Sequence, residues 1–486
     1  MGFATNNYRL AGAGALAVVL TSVLVWFGNG LDPLWPCMWF AMLPVLWFAL
    51  RSPWRATALV SGLSMLLGGL NMLHYLHYAL GAPVVVWLSI YMTIAVIFAG
   101  AVLLFRALVL RGAVWSALVA LPAAWVSLEF ARNFMTPHGT AGSLAYTQLR
   151  FLPFLQLASI TGPWGMSFLL LFVQSAIVIG IHLWSKEQQL GSKERQRAIR
   201  VVSTGVMVTV VVLVFGAIRL AAPQGKTIRV GLISSDERGN LVPSEPGAPT
   251  ERLFHDYAAA VEGLASQGAQ AIVLPEKLGV VLNADTSPMD AVLQATADKT
   301  GTAIIAGVVR VASPLKYNEA RVYAPHVQVA SYDKQHMLPP FESDLEPGTS
   351  LTMMSRQHTI LGVAICKDMD FGRPARSYGE AGAGVLLVPG WDFVIDNAWH
   401  GHIAVMRGVE NGFSIVRSAK KGLLTVSDWR GRIVAEARSD SAPFATLLAD
   451  VPAEHHKTLY LLLGDWFAWL AVGLLAFTLL RLFWRS

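Results

Sequence analysis

Hydrophobic runs long enough to cross a lipid bilayer dominate the first half of the chain and return at its end. A spanning helix needs roughly 20 consecutive apolar residues, and eight stretches reach or approach that length. Their approximate bounds are 10–27, 34–50, 56–75, 84–105, 113–130, 157–183, 201–221 and 459–483. The first lacks an obvious small-residue cleavage site, so we expect a retained helix rather than a signal peptide. The pattern predicts seven transmembrane helices within residues 1–222 and one within residues 458–486.

A different pattern fills residues 227–452, where short apolar runs typical of buried strands alternate with polar and glycine-containing segments. Three of these runs lead into a reactive or charged residue. The run that begins at Ala271 ends at Glu276, a strand predicted over 326–331 precedes Lys334, and the run 359–365 ends at Cys366. The segment is therefore predicted to be a separate catalytic domain between the seventh and eighth transmembrane helices.

Cys366 is the strongest candidate for a nucleophile in this domain. A thiol becomes reactive when a base and a nearby cation favour its thiolate. Glu276 could take the thiol proton, and Lys334 could stabilise the oxyanion that forms when a carbonyl is attacked. Taken singly, a buried cysteine or a charge at a strand end is usually structural, but the order Glu, Lys, Cys at three strand ends favours catalysis. The second cysteine, Cys37, lies in a predicted membrane helix, and a disulfide between the two would remove the nucleophile.

The same residues resemble the nitrilase or carbon-nitrogen hydrolase superfamily. The resemblance covers residues 227–451 and includes Gly307-Val-Val, Tyr332-x-Lys334, a glutamate eight residues after that lysine (Glu342), Val385-Leu-Leu-Val-Pro-Gly390 and Met406-Arg-Gly-Val-Glu-Asn-Gly412. It implies an α/β domain built as an αββα sandwich, with Glu276, Lys334 and Cys366 as the catalytic triad.

Composition and charge indicate where this domain lies. Hydrophobic residues make up 54% of the chain and charged residues 14%, as in polytopic membrane proteins. Basic residues follow the second, fourth and sixth spans, whereas the loops after the first and third contain none; the basic residues are Arg51, Arg55, Arg106, Arg111, Lys186, Lys193, Arg195, Arg197 and Arg200. Because cytoplasmic loops carry the excess of lysine and arginine, we expect both termini inside and the catalytic domain outside. The net charge of +6 requires no nucleic-acid partner.

Eight spans with a nitrilase-like domain before the last one resemble the apolipoprotein N-acyltransferase family of the bacterial inner membrane. The stretches Leu128-Glu-Phe-Ala-Arg132 and 155–168 extend the resemblance into the membrane half. It implies that a phospholipid resembling phosphatidylethanolamine donates an acyl chain to Cys366. The thioester would then acylate the α-amine of a diacylglyceryl-modified cysteine on an apolipoprotein, in a ping-pong reaction. The sequence offers no metal-ligand cluster and requires no cofactor, and we expect a monomer.

Three further residues receive supporting roles. Glu342 matches the second glutamate of the family and would orient Lys334 or the incoming amine, unless it is only an exposed loop acid. Asp368 stands where the family usually has glutamate and would hold the nucleophile loop through backbone hydrogen bonds. Trp391 opens an aromatic segment that is either a lid, a lipid-contacting rim or part of the core.

Departures from the family leave other functions open. Lys367 follows the nucleophile where an aromatic residue is usual, and a cation beside a thiolate lowers the thiol's pKa. The loop after Arg132 lacks the family's Gly-Phe-Pro-Trp motif, and Glu346-Pro-Gly348 is closer to soluble amidases. These features suggest a divergent branch or a paralogue. The alternatives are a membrane-anchored amidase, which would hydrolyse a carbon-nitrogen bond, and a noncatalytic membrane scaffold.

Overall fold

The computed structural model describes residues 2–186, 192–237, 240, 242–282 and 288–483. The chain forms two compact units. A helical unit contains Met1–Arg132, Gly142–Leu220 and Gly464–Ser486, and a sandwich unit contains Asn133–Ala141 and Ala221–Leu463. The predicted last transmembrane segment extends to residue 486, and its residues 484–486 lie outside the described residues.

The helical unit is built almost entirely from apolar helices. They are α1 (Gly2–Gly28), α2 (Trp35–Met38), α3 (Leu43–Ala49), α4 (Trp54–Gly69), α5 (Val84–Leu110), α6 (Val114–Met135, with its last turn beyond the unit), α7 (Leu152–Leu155), α8 (Ala158–Thr161), α9 (Pro163–Ser185), α10 (Ser192–Leu220) and, near the chain end, α16 (Trp466–Leu480). Within the described ranges, five are long and apolar enough to cross a bilayer: α1 from Tyr8 onward, α5, α6, α9 and α10.

Shorter helices occupy the second, third and last predicted spans, and glycine or proline marks the interruptions in the second, sixth and last of the eight. The second predicted span is divided into α2 and α3, each of which has a proline in its first turn. The sixth is interrupted at Gly162, whose φ of 63° is a left-handed conformation that ends α8 before α9 begins. The last one is interrupted in the same way by Gly464 (φ 60°), so that α16 starts at Trp466.

The sandwich unit contains two β-sheets. Its strands are β1 (Thr227–Ser234), β2 (Ala271–Val273), β3 (Gly279–Leu282), β4 (Ala303–Ala312), β5 (Leu315–Tyr323), β6 (Ala330–Asp333), β7 (Thr352–Arg356), β8 (Thr359–Val363), β9 (Val385–Trp391), β10 (Ser414–Lys420), β11 (Leu423–Ser427), β12 (Ile433–Arg438) and β13 (Ala445–Pro452). The first sheet has the order β13-β1-β2-β4-β5-β6, with β3 beside β4, and the second has the order β12-β11-β10-β9-β8-β7.

Apolar side chains from both sheets form the core between them. Val230 and Ile305 of the first sheet belong to the same buried cluster as Val363, Leu387 and Val416 of the second. Helices cover the outer faces: α11 (Ala248–Ala265) and α12 (Pro288–Thr300) pack on the first sheet, and α13 (Ala375–Glu380) and α14 (Trp399–Asn411) belong to the second. A short helix, α15 (Leu459–Leu463), ends the unit. The predicted αββα sandwich is confirmed.

Parallel strands at the centre of each sheet carry the segments that the sequence analysis selected. In the first sheet β1, β2 and β4 run parallel, and in the second β8, β9 and β10 do. The strand predicted over 326–331 is wrong in its bounds, because His326 adopts a left-handed backbone conformation (φ 58°) and the strand spans Ala330–Asp333. This shift places Lys334 directly after the last residue of β6.

Candidate active site

Glu276, Lys334 and Glu342 meet in a buried cluster beyond the ends of β2 and β6. The Lys334 Nζ atom lies 2.8 Å from Glu276 Oε1 and 2.8 Å from Glu342 Oε2. Asn318 on β5 donates from Nδ2 to Glu276 Oε1 (2.6 Å) and to Glu342 Oε1 (2.7 Å). Two carboxylates therefore share one ammonium and one amide. We call these four residues, with Lys277, the carboxylate cluster.

Opposite charges keep two members of this cluster, Lys334 and Glu342, ionised despite their burial. Burial alone would lower the pKa of Lys334, but Glu276 and Glu342 beside it hold that pKa well above its usual value. Burial disfavours the Glu342 carboxylate, but Lys334 and Lys277 hold its pKa well below its usual range. Lys277 Nζ lies 2.6 Å from Glu342 Oε1. Lys334 and Glu342 are thus charged at neutral pH, and Glu342 is a buried partner of Lys334 rather than an exposed loop acid.

Backbone features next to Glu276 explain how the cluster fits. Lys277 adopts a left-handed conformation (φ 52°), which is uncommon for a residue other than glycine. On β4, a Cβ atom at Gly307 would lie 2.5 Å from the Glu276 Cα atom. Only glycine permits this approach, which gives a physical reason for the Gly307-Val-Val segment noted in the sequence.

Cys366 lies just beyond β8, as the first residue of a 3₁₀ turn over Cys366–Asp370. Its φ of 39° is left-handed, so the backbone is strained at the residue that carries the thiol. The thiol donates to the Trp391 carbonyl oxygen, with a distance of 3.6 Å between Sγ and oxygen. Both Cys366 and Cys37 are free thiols.

The surroundings of Cys366 disfavour a resting thiolate. Burial and the negative charge of Glu276 raise the pKa of the thiol to about 12, while Lys334 and Arg417 act in the opposite direction. A neutral thiol with this pKa is a weak nucleophile until a base removes its proton. Glu276 and Lys334 both act on the sulfur electrostatically, so the structure brings the three predicted triad residues into one site.

Asp368 connects the nucleophile turn to the segment that carries the lysine of the cluster. Its Oδ2 atom accepts hydrogen bonds from the Tyr332 hydroxyl (2.8 Å) and from the Ile365 backbone N–H (3.1 Å). Its Oδ1 atom accepts from the backbone N–H groups of Gln335 (3.1 Å) and His336 (2.9 Å). The carboxylate is fully buried, and these bonds tie the two chain segments together on either side of the site.

Lys367 does not act as an unpaired cation beside the sulfur. Its ammonium lies 3.0 Å from Asp370 Oδ2, and burial still leaves the thiol with a raised pKa. The loop after Arg132, which departs from the family motif, packs on the same turn. Thr140 donates to the Asp370 carbonyl oxygen from its backbone N–H (2.9 Å) and its hydroxyl (2.8 Å).

Trp391 and Lys420 contact each other and line the site on the side of Glu276. The Trp391 ring centroid lies 3.8 Å from Lys420 Nζ and 5.6 Å from Lys277 Nζ. Lys420 is fully buried and donates to the Lys277 carbonyl oxygen (3.1 Å). Burial lowers the pKa of Lys420 to about 7, although Glu276 acts against this shift. The sequence analysis did not select Lys420. The pattern that identified the triad, a charged residue at the end of an apolar strand, also occurs at this lysine.

A buried ion pair between Asp392 and Arg417 was also missed. Arg417 donates to both carboxylate oxygens of Asp392, from Nη1 to Oδ2 (2.8 Å) and from Nη2 to Oδ1 (2.5 Å). Arg417 is fully buried and Asp392 is 1% exposed. Nothing in the linear pattern around Arg417 indicates that this arginine reaches the nucleophile.

Comparison with known proteins identifies two families along the chain. A model of the apolipoprotein N-acyltransferase N-terminal domain matches residues 15–176, and a model of carbon-nitrogen hydrolases matches residues 247–457. An apolipoprotein N-acyltransferase of Geobacter metallireducens is 27% identical over 394 residues, which cover 74% of this chain and 73% of the relative. One from Pasteurella multocida is 24% identical over 485 residues, with 89% and 88% covered.

An amidase from Nesterenkonia sp. has 22% sequence identity and a TM-score of 0.40, with 48% of this chain and 94% of the amidase covered.

Proposed function

The chain belongs to the apolipoprotein N-acyltransferase family, and we propose that it transfers a fatty acyl chain from a phospholipid to the N-terminal amine of diacylglyceryl-modified apolipoproteins. Relatives of that name match over most of their length, and the N-terminal match excludes a likeness limited to the hydrolase domain. The observation that carries the proposal is the convergence of a neutral thiol, a carboxylate and a permanent ammonium at the ends of strands from two sheets.

In the first half of the proposed reaction, Cys366 takes the acyl chain. Glu276 accepts the thiol proton, and the sulfur attacks the carbonyl carbon of a phospholipid ester. The Lys334 ammonium stabilises the oxyanion of the tetrahedral intermediate. When the intermediate collapses, the ester C–O bond breaks and the proton held by Glu276 passes to the lysophospholipid oxygen. The product on the protein is a thioester.

In the second half, an amine removes the acyl chain from the sulfur. The free α-amine of the diacylglyceryl cysteine attacks the thioester carbonyl, and Glu276 takes a proton from the nitrogen. Collapse breaks the C–S bond, and the sulfur regains a proton from Glu276. The order of events is ping-pong, because the donor product leaves before the acceptor reacts.

We assign supporting roles to three residues. Glu342 orients Lys334, because the two form a buried ion pair and the carboxylate also accepts the Leu338 backbone N–H (2.8 Å). Asp368 holds the nucleophile turn through the bonds that cross the site. Trp391 contributes a wall beside the base and contacts substrate there.

The proposed setting is the bacterial inner membrane. We propose that residues 1–222 and 458–486 form eight transmembrane helices, that both termini are cytoplasmic, and that residues 227–452 lie outside. The five long apolar helices and the distribution of basic residues support this arrangement. We further propose that the chain acts as a monomer, because membrane anchors on both sides of the sandwich hinder the assemblies that soluble nitrilases form. The proposed reaction uses no cofactor.

Intact-mass spectrometry tests the acyl-enzyme directly. The purified protein and a Cys366→Ser variant are incubated with phosphatidylethanolamine, and a diacylated lipopeptide is then added. We expect a hydroxylamine-labile acyl adduct on the wild type alone, and we expect the lipopeptide amine to discharge it.

Two other outcomes would contradict the proposal. An adduct that decays only to free fatty acid would indicate a lipid hydrolase. No adduct, under conditions in which a control acyltransferase reacts, would leave the amidase or the noncatalytic scaffold.

A further inference from the structure

The Arg417 guanidinium contacts the nucleophilic sulfur. Arg417 Nη2 lies 3.8 Å from Cys366 Sγ, within hydrogen-bond distance for sulfur, and the same nitrogen donates to Asp392 Oδ1. Arg417 lies on β10, where it pairs with Val388 of the parallel neighbour β9. The second sheet thus delivers a cation to the sulfur independently of Lys334, which follows the first sheet.

Two neighbours hold the guanidinium in place. Asp392 binds it through two parallel hydrogen bonds, a geometry that fixes both the position and the plane of an arginine. Gly390 provides the space, because a Cβ atom there would lie 2.9 Å from Arg417 Nη2 and 3.0 Å from its Cζ. This arginine occupies a site shaped for it, and it has little freedom to turn away from the sulfur.

Proton loss from Cys366 leaves a negative charge on the sulfur, which Arg417 can stabilise. In the resting state the thiol donates to the Trp391 carbonyl oxygen. After the proton is lost, the carbonyl oxygen of Trp391 repels the negative sulfur. An N–H of Arg417 can instead donate a hydrogen bond to the thiolate. Lys334 is already bonded to two carboxylates. Lys334 also favours the thiolate, and Arg417, whose guanidinium lies against the sulfur, adds to this by more than Asp392 opposes it.

We propose that Arg417 is a further catalytic residue, which stabilises the Cys366 thiolate while Lys334 stabilises the oxyanion. The inference rests on the proposed function, and it applies to both half-reactions. The arginine assists when the thiol gives its proton to Glu276 and the C–S bond forms. It assists again when that bond breaks and the electron pair returns to sulfur. Arg417 gives up no proton in either step.

Alkylation of Cys366 without any acyl donor tests this role. Removing Arg417 alone would leave Asp392 buried and unpaired, so the test variant is Arg417→Met/Asp392→Asn, with Arg417→Lys as the conservative change. The alkylation rate of Cys366 is followed against pH by peptide-resolved mass spectrometry, with iodoacetamide as a small reagent and N-ethylmaleimide as a bulky one. We expect the double variant to react about tenfold more slowly at each pH with both reagents, which corresponds to one unit of thiol pKa. Arg417→Lys should retain part of the rate.

A matched control removes another buried ion pair from the same domain. Arg407 and Glu410 on α14 are both fully buried, with 2.9 Å between Nη2 and Oε1. Arg407→Met/Glu410→Gln should lower the melting temperature and leave the alkylation curve of Cys366 unchanged. The proposal is overturned if folded Arg417→Met/Asp392→Asn alkylates like the wild type, or if only the bulky reagent slows. Failure to form an acyl adduct would instead count against the proposed function, because alkylation needs no donor.

Discussion

The two sheets contribute opposite kinds of environment to one site. The carboxylate cluster beyond β2 and β6 is redundant: Glu276 and Glu342 each accept from both Lys334 and Asn318, and Glu342 also binds Lys277. The nucleophile side, beyond β8, has one cation in hydrogen-bond contact with the sulfur within the described part of the chain, Arg417, and a strained backbone at Cys366.

The carboxylate cluster therefore supplies charged groups held in place by their partners, whereas the second sheet holds a nucleophile that must first lose a proton. In the carboxylate cluster, Lys334 and Glu342 keep their charges, so the proton that Glu276 accepts and returns is the one change in charge that the proposed reaction makes there. At Cys366, burial keeps the thiol neutral, and reactivity requires a proton transfer. Changes in the first region should therefore alter rate and stability together, whereas changes in the second should alter mainly the protonation of sulfur.

The largest expected effect is on the base. Glu276→Gln keeps the shape of the side chain but cannot accept a proton, so thioester formation should slow by roughly 10²- to 10⁴-fold. The rate is measured as single-turnover appearance of the acyl adduct from phosphatidylethanolamine. Glu342→Gln is the matched control, since it removes the other carboxylate and leaves the base, and its loss should be smaller by at least tenfold. Equal losses in the two variants would show that the base is misassigned.

A loss of stability of intermediate size should follow removal of the shared ammonium. Lys334→Met removes the ammonium between two buried carboxylates and leaves them Asn318, Lys277 and the Leu338 backbone N–H among the described residues. Breaking such a buried pair costs about 3 kcal/mol of unfolding free energy. Denaturant titration in detergent measures it. Lys334→Met/Glu342→Gln should regain part of the loss because one carboxylate is gone. The exposed pair Arg229–Asp450 is the control, and Arg229→Met should cause no measurable change. Equal losses at the two sites would refute the cluster's role.

The smallest effect is a dependence of stability on pH that is due to Lys420. Its pKa falls from the ordinary 10.5 to about 7 in the folded protein. The unfolded chain therefore binds a proton that the folded one lacks between about pH 7 and pH 10.5, and stability rises with pH through that window. The slope is at most about 1.4 kcal/mol per pH unit.

Lys420→Met removes this contribution. The variant should exceed the wild type in unfolding free energy most clearly below pH 7, and its advantage should shrink as pH rises through the window. Denaturant titrations at three pH values measure the difference. A difference that stays constant with pH would mean that Lys420 keeps its proton in the folded protein.

Much of the architecture was predictable because it depends on local patterns. Apolar length identified the five long helices, and strand-length runs identified a separate domain and the positions of Glu276, Lys334 and Cys366. The resemblance to nitrilases implied that this domain is a sandwich. The strand before Lys334 was misplaced, because a left-handed residue at His326 has no signature in hydrophobic periodicity. The sequence determined which reactive groups stand at strand ends, since periodicity and turn residues act over a few positions along the chain.

Tertiary structure alone decided which charges these groups face. Asn318, Lys420 and Arg417 come from strands that neighbour the triad only through sheet order, and Gly390 makes room for a guanidinium 27 residues later in the chain. The neutral state of the thiol and the ionised state of Glu342 likewise arise from burial and from partners distant in sequence. Electrostatic interactions depend on distance in space and on exclusion of water, and neither can be read from the order of residues.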